Sequence, residues 1–469
     1  MMQSSPPYSQ TVPLLDGWVP WVLWPAVTMA VGWGLRGYIG GGPFGAMIAG
    51  ALVALALCML LGYRGETAAV VAAFGAVGVG FGGDMTYGQT IGLLGGSDTL
   101  AWGLTGLTLK GAVWGLLGGA VLGVGLRVKE LNRQEVFWML ALFLLGVFAG
   151  IAIINEPKLI YFSDPVNKPR AESWAGLLFG ALFLLAYVKV SVPSMFGVVG
   201  RFALYGLAAG GIGFGGGALW MVLSSRVDTL AWLPYWKFME FSFGFCFGAG
   251  LGLCAWHLRR GLPHYAPLVD PHAQAKSAGL AAGAVLVGVF LLWPLLVVGI
   301  ANVLREAPLP WLVTPLGRTL LGYTGLGCVL LGLARSSPTL AWQIAATVTF
   351  IATTIDLRAD LFPGSGAAVT VTLWGFVLLL GVVAAVLVLQ RQRRAGERLV
   401  PLFVSLLWAL MAVAYLRGIS TSPAWNASSG AEAFQQIRAE LIVHGIFTLL
   451  AILSTWGALW FHETAKNRA

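Results

Sequence analysis

Four positions in this sequence put charge where apolar residues surround it. The string Asp84-Met85-Thr86-Tyr87-Gly88-Gln89-Thr90 follows Gly80-Phe81-Gly82-Gly83 inside a long apolar run. Lys110 and Glu240 each interrupt another such run. Arg36 lies in Gly32-Trp33-Gly34-Leu35-Arg36-Gly37-Tyr38, just ahead of Gly40-Gly41-Gly42-Pro43. A charge at the centre of a bilayer costs about 2.5–3.5 kcal/mol on insertion scales, so it is kept where it is paired or used. The chemistry these groups suggest is binding rather than bond-making. Arg offers a planar, bidentate grip on a carboxylate or phosphate. Asp84, Thr86, Tyr87 and Gln89 offer a polar surface for a solute. Lys110 and Glu240 suit a gate or coupling pair. A snorkelling Arg36, a hydrogen-bonded Asp84 and a static Lys110–Glu240 lock are the structural alternatives.

Other chemistry has weaker support. The five His and four Cys show no ligand spacing, and the sequence has no Walker A string and no Gly-x-Ser-x-Gly elbow. No catalytic residue, metal or cofactor is therefore expected. Cys58, Cys246, Cys254 and Cys328 all sit in apolar runs, as small core residues do. His444 lies alone within a span, and Asn426-Ala427-Ser428 is only a three-residue sequon match. The polar connection 155–173 reads as a solvated loop, with a lid as the alternative.

The elements that would position these groups follow from composition. The chain is 58% hydrophobic and only 10% charged, against about 25% charged in soluble domains. A span needs about 20 apolar residues. On that basis the fold class is all-α: a polytopic integral membrane protein of about 14 transmembrane helices. The net charge of +9 sits mostly in short connections, so it is a topology signal and not a nucleic-acid surface. The densest Lys and Arg clusters, at 127–133 and 391–398, share one side and predict cytoplasmic termini, in a bacterial inner membrane. Trp18, Trp21 and Trp24 fit an interfacial belt. The first residues lack a basic n-region, so the first span is expected to stay in the mature chain.

An internal repeat organises the spans. Gly80-Phe81-Gly82-Gly83 recurs as Gly213-Phe214-Gly215-Gly216, and Asp98-Thr99-Leu100-Ala101-Trp102 as Asp228-Thr229-Leu230-Ala231-Trp232. Residues 20–130 and 136–260 then form two parallel four-helix repeats. An N-terminal segment 1–19 precedes them. A linker 261–277, a six-helix block 278–462 and a tail 463–469 follow. Broken Gly-rich segments at matching places in two repeats point to a transporter binding site, which would be Gly78 to Gly83 and Gly211 to Gly217. Opposite the polar string of the first copy, the second reads Gly217-Ala218-Leu219-Trp220. That asymmetry suits one asymmetric ligand, with Trp220 on its far side. Lys110 and Glu240 occupy equivalent repeat positions, so a pseudo-two-fold axis is expected to bring them face to face.

The expectation is a secondary transporter of a small polar solute, anionic in its sharper form, with a coupling proton or cation. Two alternatives stay open. One is a membrane transferase acting on a lipid-linked substrate, with Asp98, Asp228 and Glu156 near the outer face. The other is a non-catalytic subunit of a membrane complex.

Overall fold

The computed structural model describes residues 17–38, 42–63, 65–83, 85–164, 170–262, 399–420 and 422–467. Within them the chain is all-α. The helices are α1 Trp18–Leu35, α2 Gly42–Leu60, α3 Gly65–Gly82, α4 Gly88–Gly92, α5 Leu100–Arg127 and α6 Arg133–Gly150. After these come α7 Trp174–Ser191, α8 Pro193–Ser224, α9 Tyr235–Leu258, α10 Leu399–Ser420 and α11 Gly430–Asn467. Local chemistry sets several boundaries. Asn132 and Glu135 form a capping box at the start of α6. Pro193 opens α8, where its missing N–H costs nothing.

Among the described residues, seven stretches are long and apolar enough to cross a membrane: Trp18–Tyr38, Leu100–Arg127, Gln134–Asn155, Trp174–Ser191, Pro193–Ser224, Tyr235–Leu258 and Gly430–Phe461. Gly45–Leu60 and Val70–Gly82 add shorter apolar helices. The chain is a multi-pass membrane protein in contact with the lipid bilayer. Most of the expected C-terminal block, together with Cys328, lies outside the described residues.

Helix α5 is the centre of the bundle. Of its apolar stretch 89% is buried, against 33% for α6. It packs on α3 and α8, α1 packs on α9 and α2, and α6 pairs with α7. Outward side chains such as Phe137, Leu145, Leu204, Ile212 and Trp456 are exposed apolar groups, as a lipid-facing surface requires. Neighbouring helices run antiparallel. Gly111, Gly115 and Gly119 of α5 oppose Gly210, Gly206 and Phe202 of α8, and Gly244, Gly248 and Gly252 of α9 oppose Met29, Pro25 and Trp21 of α1. One end of the bundle thus collects the C-termini of α1, α3, α6, α8 and α10 with the N-termini of α2, α5, α7, α9 and α11.

The α5–α8 crossing depends on small residues, because lipid offers no hydrophobic drive and backbones must touch to gain dispersion contact. A Cβ on Gly115 would land on the Gly206 carbonyl, and one on Gly206 on the Gly115 carbonyl. Gly115→Ala should destabilise the bundle by about 1–3 kcal/mol, the usual range for overpacking. Thermal unfolding in detergent measures it, and Gly216→Ala, which meets nothing within 4 Å, is the neutral control.

The two Gly-rich segments differ. Helix α3 stops at Gly82, and the short α4 and a 3-10 turn Leu93–Gly95 follow. The matching run Gly211 to Gly217 lies inside unbroken α8. The expectation of two broken segments is corrected to one. In α3, Gly82 abuts the Trp114 indole, and the polar residues beyond it turn toward α5. In α8, Gly210, Gly213 and Gly217 lie close against Gly111, Cys246 and the Met239 carbonyl, so these glycines serve packing.

Candidate functional site

Two buried ion clusters lie at the end defined above, one on each side of the 85–95 segment. The first is built around Lys110. Its position ten residues into α5 places it about 15 Å from the helix start. The side chain is 1% exposed. Its Nζ donates to the Thr86 carbonyl at 2.7 Å, Thr90 Oγ1 at 2.8 Å and Glu172 Oε1 at 2.9 Å. An ammonium has three N–H donors, and all three are used. Glu172 is equally enclosed: it also accepts from the Phe162 amide and from Ser163 Oγ at 3.0 Å. Thr90 Oγ1 donates to the Phe162 carbonyl at 2.9 Å, and Trp102 Nε1 to the Tyr161 carbonyl at 3.0 Å. These bonds tie residues 161–163 and Glu172 into the bundle. Those parts of the connection are therefore not simply solvated loop, whereas residues 156–160 are exposed.

The second cluster is built around Arg36, where α1 gives way to the 3-10 turn Arg36–Tyr38. Arg36 Nη1 donates to the Tyr87 hydroxyl and lies 3.7 Å from Glu240 Oε1. The guanidinium carbon lies 5.3 Å from the Trp33 ring, 5.3 Å from Tyr87 and 5.7 Å from Trp114, within cation–π range. Glu240 holds a second cation: Lys237 Nζ donates to its Oε2 at 2.6 Å and to the Gly34 carbonyl at 3.0 Å. Trp236 Nε1 donates to Glu240 Oε1 at 3.1 Å and its ring stacks on Tyr87. Two cations thus share one carboxylate.

The expected Lys110–Glu240 contact is not formed. Lys110 meets Glu172, and Glu240 meets Lys237 and Arg36. The cause is depth. Helix α5 begins at Leu100, whereas Pro234 delays α9 to Tyr235. Glu240 is five residues into its helix and Lys110 ten, so the two charges stand about 7 Å apart in depth.

The structure brings together Arg36, Thr86, Tyr87, Lys110 and Glu240 of the expected site residues. Gln89 is on the same segment, and its Oε1 is buried with no partner among the described residues. Trp220 stands apart: it is 40% exposed on α8, donating to Ser242 Oγ at 3.0 Å. Asp84 lies outside the described residues. Asp98, Glu156 and Asp228 are all exposed. Among the described residues no group of three or more His, Cys, Asp or Glu comes together to hold a metal ion.

Sequence reasoning missed Glu172, Lys237 and the aromatic walls Trp33, Trp114 and Trp236. The usable signal was Trp236-Lys237 one turn ahead of Glu240, which puts a cation and an indole on the carboxylate's face of the helix. Glu172 carried no such signal. A small apolar cleft lies elsewhere, between α3, α5, α6 and α7, lined by residues such as Phe74, Val121, Val136 and Leu184. It does not reach the charges. Comparison with protein-family models, characterised proteins and solved structures finds no match to this chain.

Proposed function

We propose that this chain is a secondary transporter of a small anionic solute, with Arg36 and Lys237 as the anion grip and Tyr87 and Gln89 as its polar lining. The observation that carries this reading is the charge count around Glu240. Arg36 and Lys237 share that single carboxylate, so the triad is one positive charge in excess. A monovalent anion entering there would balance it and free Glu240. A lock built only for stability gains little from buried charge, since well-packed apolar residues commonly do as well or better.

The ion pairs also cross between the two proposed repeats. Arg36 and Lys110 belong to residues 20–130, while Glu240 and Glu172 belong to 136–260. Rocking of one repeat against the other would break and remake these pairs around the interrupted 85–95 segment, the pattern expected of alternating access. About 14 helices in all, cytoplasmic termini and a bacterial inner membrane complete the proposal. The charge cluster then lies at the external end.

A non-catalytic membrane subunit is the second reading. It is favoured by the complete pairing of Lys110 and Glu172, which leaves that ammonium no donor for a solute. Uptake by vesicles containing the purified chain separates the two. A panel of carboxylates, amino acids and sugars is offered with and without a pH gradient. Saturable uptake of an anion, lost in Arg36→Met, supports transport. No uptake of any solute, from a chain that purifies with a stoichiometric protein partner, supports the subunit.

A further inference from the structure

A line of polar groups connects the Arg36 cluster to α11. Tyr38, two residues beyond Arg36, donates its hydroxyl to Glu440 Oε2 at 2.5 Å. The same ring lies 4.8 Å beneath the Lys237 ammonium, which clamps Glu240. One turn along α11 from Glu440 stands His444. Its Nδ1 is 2.8 Å from the Glu440 carbonyl and 3.7 Å from Glu440 Oε2. A carbonyl oxygen only accepts, so Nδ1 carries the ring proton and Nε2 of the neutral ring is the free basic nitrogen.

We propose that His444 is a proton-binding site, and that Tyr38 carries its protonation state to the Lys237–Glu240 pair. The purpose of this device rests on the transport reading, in which it makes the proton the coupling ion. The step is simple acid–base chemistry: a proton from water bonds to Nε2 and the ring becomes an imidazolium. The imidazolium then competes with Tyr38 for the Glu440 carboxylate. Once released, the Tyr38 ring no longer holds its place under Lys237, and the clamp on Glu240 loosens.

The groups facing His444 are few. On α11 they are Glu440 and Thr448, whose Oγ1 donates to the His444 carbonyl. From the 3-10 turn comes Tyr38, edge-on at 5.7 Å, with Lys237 of α9 beyond it. From α10 come Tyr415, stacked at 4.9 Å, and Gly418, where an added Cβ would lie 2.8 Å from Nε2. Arg417 adjoins Gly418 in sequence. Glu440 is thus the carboxylate, among the described residues, that an imidazolium here would meet.

The test titrates His444 itself, by nitrogen NMR of the histidine-labelled full chain in lipid vesicles between pH 5 and 8. The sequence has five His, and His444→Gln identifies the signal by its loss. Linkage is reciprocal, so altering the Lys237–Glu240 pair must alter the proton affinity of His444. Glu240→Gln removes the clamp in advance, so Tyr38 is already released from its place under Lys237, and it should raise that affinity at least about fivefold, the small end of coupling between linked sites. Tyr38→Phe frees Glu440 and should raise it. In Tyr38→Phe/Glu240→Gln the effect of the Glu240 change should vanish. An undiminished rise there would mean a link that bypasses Tyr38, and a fall in Glu240→Gln would mean a through-space field; either overturns the Tyr38 route. A His444 that does not titrate in this range overturns the site. If Glu240→Gln fails to fold, Tyr38→Phe alone, which deletes one hydroxyl, still decides the first link. No substrate is needed, so the two proposals fail separately. A chain that transports nothing but shows these shifts overturns the transport reading only. A chain that transports with His444 unshifted overturns this inference only.

Discussion

Lys110→Met will destabilise the folded chain by about 3–5 kcal/mol, the cost of leaving a buried carboxylate without its cation. Glu172 keeps only the Phe162 amide and Ser163 Oγ once Lys110 is gone. The Thr86 carbonyl and Thr90 Oγ1 lose their donor in the same stroke, so the 85–95 segment loses its tie to α5. Glu172→Gln should cost a similar amount, because it leaves Lys110 charged and surrounded by neutral acceptors. The double change Lys110→Met/Glu172→Gln removes both charges and should recover most of the loss. Thermal unfolding of the purified chain in detergent, followed by loss of the monodisperse gel-filtration peak, measures all three. Single changes within about 1 kcal/mol of wild type, as for exposed pairs, would show that the pair is open to water. Restored folding with full anion uptake in the double variant would remove Lys110 from the gating role.

What could be read in the sequence, and what could not, divides along one physical line. Membrane character, α-class and the approximate course of α1 to α9 follow from apolar run length and turn residues, which are local properties. Arg36 was recognisable because a charged residue among glycines between two apolar runs has few structural uses. Pairings were not recognisable in the same way. Lys110 and Glu240 are 130 residues apart, the offset between the recurring strings at 98–102 and 228–232, yet Pro234 delays the start of α9 and the two charges sit at different depths. Glu172 sits in a polar connection where every neighbour argued for solvent. Only the fold shows that Thr90 and Trp102 hold that connection by its backbone carbonyls. The Gly runs of α3 and α8 look alike in sequence. Their fates differ because the residues after Gly82 find polar partners on α5, while those after Gly213 find the backbone of α9.

Arg36→Met should separate function from stability. Glu240 keeps Lys237 at 2.6 Å and Trp236 at 3.1 Å when the guanidinium is removed, so no charge is stranded. The loss in stability should then be about 1–2 kcal/mol, from the hydrogen bond to Tyr87 and the contacts with three aromatic rings. The loss in anion uptake should be far larger. The triad falls from one positive charge in excess to neutral, and the proposed bidentate grip on the anion disappears. Breaking a buried, hydrogen-bonded charge contact costs about 2–5 kcal/mol, or a factor of roughly 30 to several thousand in affinity. Arg36→Lys keeps the charge but loses the planar fork, and should fall between the two. The comparison to make is the concentration dependence of uptake in vesicles beside the unfolding temperature of the same preparations. Equal loss of both in Arg36→Met would mean that Arg36 serves the fold. Unchanged half-saturation in Arg36→Lys and Arg36→Met together would remove it from the anion site.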